Sequence, residues 1–234
     1  MSLPAYLDSI TATLNKAHNK LQLQEQTLNK APNKPQLQEQ TLTNVNLFLQ
    51  KWSALGLKPT EGSVVPEQIK FLADFVVKNN IKNILEVGFN AGLSAGTFLA
   101  SSPKTRVISL DIGAHEYVLK AQSALAHQYP GRLFLVIGDS GDTLHQFQTY
   151  HPEYRPDLIF LDGGHTYPTP SIDLAFALKI VKVGGWIIID DVFTKGREPD
   201  VLKAVQEAVK GGKMVLLGQY EAQDRGWVVA KPIY

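Results

Sequence analysis

Three acidic residues stand where apolar strands run out. Asp162 closes the apolar stretch of DLIFLDGGHTY at 157–167, and Asp190 and Asp191 close that of GGWIIIDDV at 184–192. His165 lies three residues beyond Asp162, after Gly163 and Gly164. Those glycines let the chain turn sharply and let a ligand approach backbone. If the strands share a parallel sheet, their carboxylates converge on one crevice. Three carboxylates at one point repel unless a cation joins them, and oxygen-only ligation suits Mg2+ or Ca2+. Asp162, Asp190 and Asp191 are therefore candidate metal ligands. A divalent ion grips a substrate hydroxyl and lowers its pKa. His165, whose reference pKa lies near neutrality, is the candidate general base. Neighbouring side chains on a straight strand point to opposite faces. Both Asp190 and Asp191 reach an ion only if the chain turns there; otherwise one of them caps or binds a loop.

A glycine-containing strand end lies upstream, Glu86-Val87-Gly88-Phe89-Asn90-Ala91-Gly92. Gly88 and Gly92 permit a tight turn and close ligand approach. Their spacing is GxxxG, not GxGxxG, which disfavours a dinucleotide clamp and hence an NAD-dependent enzyme. Asp111 ends the next strand, where an acid can accept hydrogen bonds from a ribose diol or cap a helix. Gly138-Asp139-Ser140 ends the third. Asp139 could meet an adenine amino group or cap the helix that opens near Gly141.

The elements that must position these residues follow from the apolar pattern. Strands are expected at 83–87, 106–111, 133–137, 158–162, 186–190, 213–217 and 227–231. Helices fall between them, at about 93–102, 115–128, 141–150, 170–181 and 198–210, after a first one that opens near Pro66. Several strands are continuous apolar runs, as in sheets covered on both faces. The pattern predicts an α/β fold with a doubly wound, mostly parallel sheet. Ligands then sit beyond the carboxyl ends of the strands, where nearly all the polar candidates lie.

Composition narrows the function classes. The chain has 234 residues, 44% of them apolar, enough for one α/β domain with an appendage. Its net charge is +1 and no basic block tracks a phosphate backbone, so no nucleic-acid partner is expected. There is no cysteine, which excludes disulfides, Cys–zinc sites and a cysteine nucleophile. The apolar runs are strand length, too short for a membrane span, and MSLPAYLDS lacks the marks of a signal peptide. The expectation is a cytoplasmic enzyme without membrane association.

Residues 14–27 and 28–41 form a tandem 14-residue repeat that differs only at His18/Pro32 and Leu21/Pro35. Leu14, Leu21, Leu28, Leu42 and Leu49 share a heptad position. Helices are expected over 5–29 and 36–54, broken by Pro32 and Pro35. The plain reading is a duplication within an N-terminal extension over 1–60. The sharper one is an arm that covers the site mouth or swaps onto a second copy as a homo-oligomer. Residues 61–234 form the main domain. Its substrate pocket is expected from 50–66, the loop after His165 and 193–199, with Trp52, Tyr167 and Phe193 as candidate stacking residues.

Residues 83–192 resemble the core of a class I S-adenosylmethionine-dependent methyltransferase. ILEVGFNAGLSA resembles the first motif, VISLDIG the acidic second strand, and DLIFLDGGHTY and GGWIIIDDV the fourth and fifth strands. The likeness implies a seven-stranded sheet in the order 3-2-1-4-5-7-6 with the last strand antiparallel, and S-adenosylmethionine as cofactor. It implies cofactor contacts from Glu86, Gly88, Phe89, Asn90, Gly92, Ser94, Asp111, Gly138, Asp139, Ser140 and Asp162. The DGGH and DD segments are most similar to metal-dependent O-methyltransferases of the macrocin O-methyltransferase type. The catechol type instead has lysine at the His165 position and Asp-Asn at 190–191. Carried over, Asp162, Asp190 and Asp191 bind Mg2+, and His165 with Asp162 forms the catalytic pair. The implied function is Mg2+-dependent O-methylation of a hydroxylated small molecule. The alternatives are a metal-independent methyltransferase and a non-catalytic interaction module.

Overall fold

The long apolar runs become strands of one sheet, and those at its centre are covered on both faces. In the computed structural model, which describes residues 34–60, 64–193 and 198–234 with side chains from residue 39 onward, these strands are β1 (Asn83–Val87), β2 (Arg106–Asp111), β3 (Leu133–Ile137), β4 (Leu158–Leu161) and β5 (Trp186–Ile189). They pair in parallel. The chain ends in a hairpin, β6 (Met214–Ala222) and β7 (Arg225–Pro232), and β7 runs antiparallel to both β5 and β6. The sheet order is 3-2-1-4-5-7-6, as expected. The helix expected over 5–29 lies outside the described residues.

Alternating strand residues serve two apolar layers. One face packs under α1 (Lys34–Ala54), α2 (Pro66–Lys78), α3 (Leu93–Ser101) and α4 (Glu116–Gln128), with Ile84, Val107, Phe160, Ile188 and Val229 pointing into it. The other packs under α5 (Ser140–Tyr150), α6 (Thr169–Ile180) and α7 (Pro199–Lys210), with Leu85, Ile159, Ile187, Ile189 and Val228. Both faces of the central strands β1, β4 and β5 are thus dry, which is why they read as unbroken apolar runs, whereas the edge strand β3 leaves Phe134, Val136 and Ile137 exposed.

The first helix belongs to this core. Its Val45 and Phe48 are buried in the first layer. Phe48 seats over Gly96 of α3, where any larger residue would strike its ring. Thr41 Oγ1 donates to the Ser101 carbonyl, and Trp52 Nε1 donates to the Ala91 carbonyl at 2.8 Å. Pro35 occupies the second position of α1, where a missing N–H costs nothing.

Several boundaries differ from expectation: α1 begins at Lys34 and takes in Pro35, where a helix over 36–54 was expected. β4 and β5 stop one residue early, so Asp162 and Asp190 stand just past the pairing. The final hairpin is longer than its apolar cores, because it extends beyond the sheet and pairs with itself as far as Ala222 and Arg225.

Candidate functional site

The carboxyl ends of β1 to β5 open on a cavity of about 660 Å3. At β1 the turn is set by Gly88, whose φ is 94° and whose N–H donates to the Leu110 carbonyl at 2.8 Å. A Cβ there would collide with the Asp162 carbonyl, while the Asp162 N–H donates to the Val87 carbonyl at 2.8 Å. β1 and β4 therefore stay in backbone contact up to the site, and only glycine permits it.

The acids on the β2 and β3 side are tied to backbone. Asp111 Oδ2 accepts from Phe89 N at 3.0 Å and Asn90 N at 2.8 Å, and its Oδ1 accepts from Gly113 N at 2.7 Å. A carboxylate offers about four lone-pair sites, so some acceptor capacity remains for a ligand. Asp139 caps α5 by accepting from Gly141 N at 2.8 Å. Gly88, Asn90, Asp111, Gly138, Asp139, Ser140 and Asp162 all line the cavity.

Glu86, Phe89, Gly92 and Ser94 do not line it and lie one layer deeper. Glu86 is fully buried and accepts from the Ser94 hydroxyl at 2.6 Å and from the Ser109 hydroxyl. Burial pushes its pKa up to about 7, against the pull of Ser109 and Ser94 and with a further push from Asp111. These residues hold the glycine turn from below.

The other end of the cavity gathers two acids and a histidine. Asp162, His165 and Asp191 present donor atoms that all lie within 4.8 Å of one another. His165 Nε2 is 3.0 Å from Asp191 Oδ2, and its Nδ1 is 3.6 Å from Glu198 Oε1. The first contact is close but bent, so the enclosed Nε2 has no aligned hydrogen-bond acceptor. Arg225 Nη1 donates to Asp191 Oδ1 at 2.7 Å.

Charge follows that geometry. The Asp191 carboxylate raises the His165 pKa despite burial, with Glu198 and Asp190 adding to it. Burial pushes Asp191 up, but His165 and Arg225 overcome it and hold its carboxyl below the ordinary range. Asp162 is half-buried as a residue, yet its carboxyl is crowded. Loss of water, then Asp190 and Asp191, push it well above the usual carboxylate range.

Asp190, expected among the metal ligands, is not in this cluster. It keeps the alternation of β5 and points to the face of Ile188, where it is 4% exposed beneath α2. Its Oδ1 accepts from Asp191 N at 2.8 Å. Burial and the Asp191 charge push its pKa up to about 6, opposed by the neighbouring Gln68 amide, which itself lacks an aligned partner. Asp191 turns away because its φ is 54°, the left-handed region that aspartate tolerates better than most residues. The two adjacent acids thus diverge.

Arg225 and Glu198 were not foreseen. A signal for Arg225 exists: the last strand is antiparallel, so its first residue enters the sheet at the same pole as the carboxyl ends of the others. Of the segments expected around the substrate, the loop after His165 supplies Thr166 and Thr169, and 193–199 supplies Glu198. Trp52, Tyr167 and Phe193 are not on the cavity wall. Trp52 braces the glycine turn, and Tyr167 is 61% exposed beneath Lys203 Nζ, 5.3 Å from its ring centre.

Residues 85–192 match a family model described as "Methyltransferase domain". Over 139 residues the chain is 29% identical to the "Probable caffeoyl-CoA O-methyltransferase 2" of Dictyostelium discoideum, a match that covers 57% of this chain and 58% of that protein. The chain thus matches little more than half the length of this curated relative. The O-methyltransferase from Bacillus cereus in complex with SAH superposes with a TM-score of 0.65 at 22% identity, over 81% of this chain and 90% of that one. The MycE methyltransferase from the mycinamycin biosynthetic pathway, in complex with Mg, SAH and mycinamycin VI, gives 0.54 at 17% identity, over 81% and 55%. The chain thus has the fold of these methyltransferase structures and is similar in sequence, over part of its length, to a methyltransferase-domain model and to this O-methyltransferase relative. The likeness does not single out the macrolide-sugar branch. Among the described residues no helix is long and apolar enough to cross a membrane.

Proposed function

We propose that this protein is an O-methyltransferase that moves the methyl group of S-adenosylmethionine to a hydroxyl of a small molecule, with a divalent cation such as Mg2+ at the acidic end of the cavity. The observation that carries this is His165, suspended between Asp191 and Glu198 beside Asp162, at the far end of a cavity whose near end is built for a nucleoside. That near end offers Asp111 for a diol, Asp139 for a base edge, and apolar Ile112 and Val118 against a flat ring.

The residues present also fit a cation. Asp162 and Asp191 would hold it, and the enclosed His165 Nε2 without an aligned acceptor faces the same point. Bound there, S-adenosylmethionine supplies the electrophilic methyl group and the cation lowers the pKa of the substrate hydroxyl. His165 takes the hydroxyl proton, and the Asp191 and Glu198 carboxylates stabilise the imidazolium that results. Gly88, Asp111 and Asp139 fix the cofactor's place, and alignment supplies much of the rate. The likeness to MycE, which holds Mg, supports the metal. The "caffeoyl-CoA" relatives support a hydroxylated small-molecule substrate.

A second reading has one specific observation behind it. Arg225 already places a positive charge on Asp191, as a metal-independent methyltransferase would need. The test is methyl transfer from labelled S-adenosylmethionine to a panel of hydroxylated small molecules, with Mg2+ and with EDTA, for the chain and for His165→Ala. Turnover that needs both Mg2+ and His165 supports the proposal. Turnover indifferent to EDTA gives the site to the metal-free reading, and turnover indifferent to His165→Ala removes the base.

A further inference from the structure

Among the described residues that line the cavity there are five acids, Asp111, Asp139, Asp162, Asp191 and Glu198, and a single lysine or arginine, Arg225. Asp111 and Asp139 are satisfied by backbone N–H groups. The burden of compensating the chemical end therefore falls on Arg225 and His165. Arg225 takes Asp191 Oδ1 at 2.7 Å, and His165 stands 3.0 Å from Oδ2. Arg225 thus engages Oδ1 by a hydrogen bond, and His165 stands against Oδ2 without an aligned one. A guanidinium does not deprotonate at any working pH, so this positive charge is permanent.

We propose that Arg225 and a divalent cation are alternative counter-charges for one carboxylate, so that the arginine sets how weakly the site binds metal. The inference rests on the metal part of the function proposed above. Its physical basis is twofold. An ion that ligates Asp191 must displace or share the Oδ1 contact, and it must accept repulsion from a cation that cannot leave by losing a proton. The arginine is also anchored. It opens β7 directly after the hairpin turn, opposite Ala222, and Gln223 in that turn donates to Glu67 of α2 at 3.2 Å. It is held by strand and turn, so it does not swing freely out of the way.

This role differs from a merely structural ion pair in what it predicts. Removing a structural pair loosens the site and weakens every ligand. Removing a competing cation strengthens metal binding. The experiment is a Mn2+ titration of the full chain, stripped with EDTA, with free Mn2+ followed by electron paramagnetic resonance. It is run on the unsubstituted chain, Arg225→Met and Arg225→Gln, with near-ultraviolet circular dichroism to show that each is folded. Should the methionine variant fail to fold, the glutamine variant, which can still donate to Asp191, decides. The expected result is Mn2+ binding at least tenfold tighter in the folded variants. Binding that is unchanged or weaker in them overturns the inference and leaves the metal site standing. No binding by any of the proteins overturns the inference together with the metal reading.

Discussion

The two ends of the cavity solve the same electrostatic problem in opposite ways. At the nucleoside end, Asp111 and Asp139 are wrapped by backbone N–H groups of the turns they join. Those donors are fixed in place by the fold, so each acid is a strap with acceptor capacity left for a ligand. At the other end, Asp162 and Asp191 stand together while Asp190 turns away beneath α2, and side chains bring the relief: His165 and Arg225 on Asp191, and Gln68 beside Asp190. Side-chain partners can shift with a bound ion or substrate, whereas a turn amide cannot. On the function proposed above, the first end is a holder and the second a reactor.

That division can be broken by substitution. The largest effect is expected for His165→Ala, with methyl transfer falling by roughly 10²–10⁴ while the dissociation constant for S-adenosylmethionine stays put. Radiolabel transfer and calorimetry measure the two separately. A loss confined to cofactor binding would erase the division.

Next comes the layer beneath. The Glu86 pKa is raised from 4.5 to about 7 by burial. Between those values the unfolded chain has given up the proton that the folded chain keeps. Stability from this group is therefore full below pH 4.5 and falls as pH rises toward 7, by roughly 3 kcal/mol. Urea unfolding at pH 5 and pH 8 should show that fall, and Glu86→Gln should flatten it. A slope that survives the substitution would reassign it to the other buried acids.

Asp111→Asn keeps the shape but weakens three charge-assisted bonds, and cofactor affinity should drop by roughly ten- to a hundredfold. If turnover falls at saturating cofactor instead, Asp111 belongs to the reactor end. The smallest effect is expected for Trp52→Phe, which loses one hydrogen bond to the glycine turn and about 1 kcal/mol of stability.

How far the sequence reaches depends on whether backbone pattern or side-chain direction decides. The order of the strands followed from the likeness to methyltransferase cores, while the strands themselves were legible because a buried parallel strand must be apolar throughout. The gathering of Asp162, His165 and Asp191 at one pole was legible for the same reason. The divergence of Asp190 from Asp191 was not, since it turns on one left-handed residue that aspartate adopts without any mark in its neighbours. Glu86 and Ser94 were expected as contacts from the family likeness, whereas the alternation of β1 sends Glu86 inward to two hydroxyls. Arg225 lies far along the chain from every acid it serves, and only the direction of the last strand brings it back.

That return has a consequence for the order in which the protein is made. The acids at 162, 190 and 191 leave the ribosome well before Arg225, which follows Asp191 by 34 positions. A nascent chain that has reached only Ala222 already contains five parallel strands and the acids at their ends, but not the guanidinium that pairs with Asp191. The strand that begins at Arg225 both extends the sheet against β5 and brings a counter-charge to its pole. Closure of the sheet and electrical completion of the site are one event.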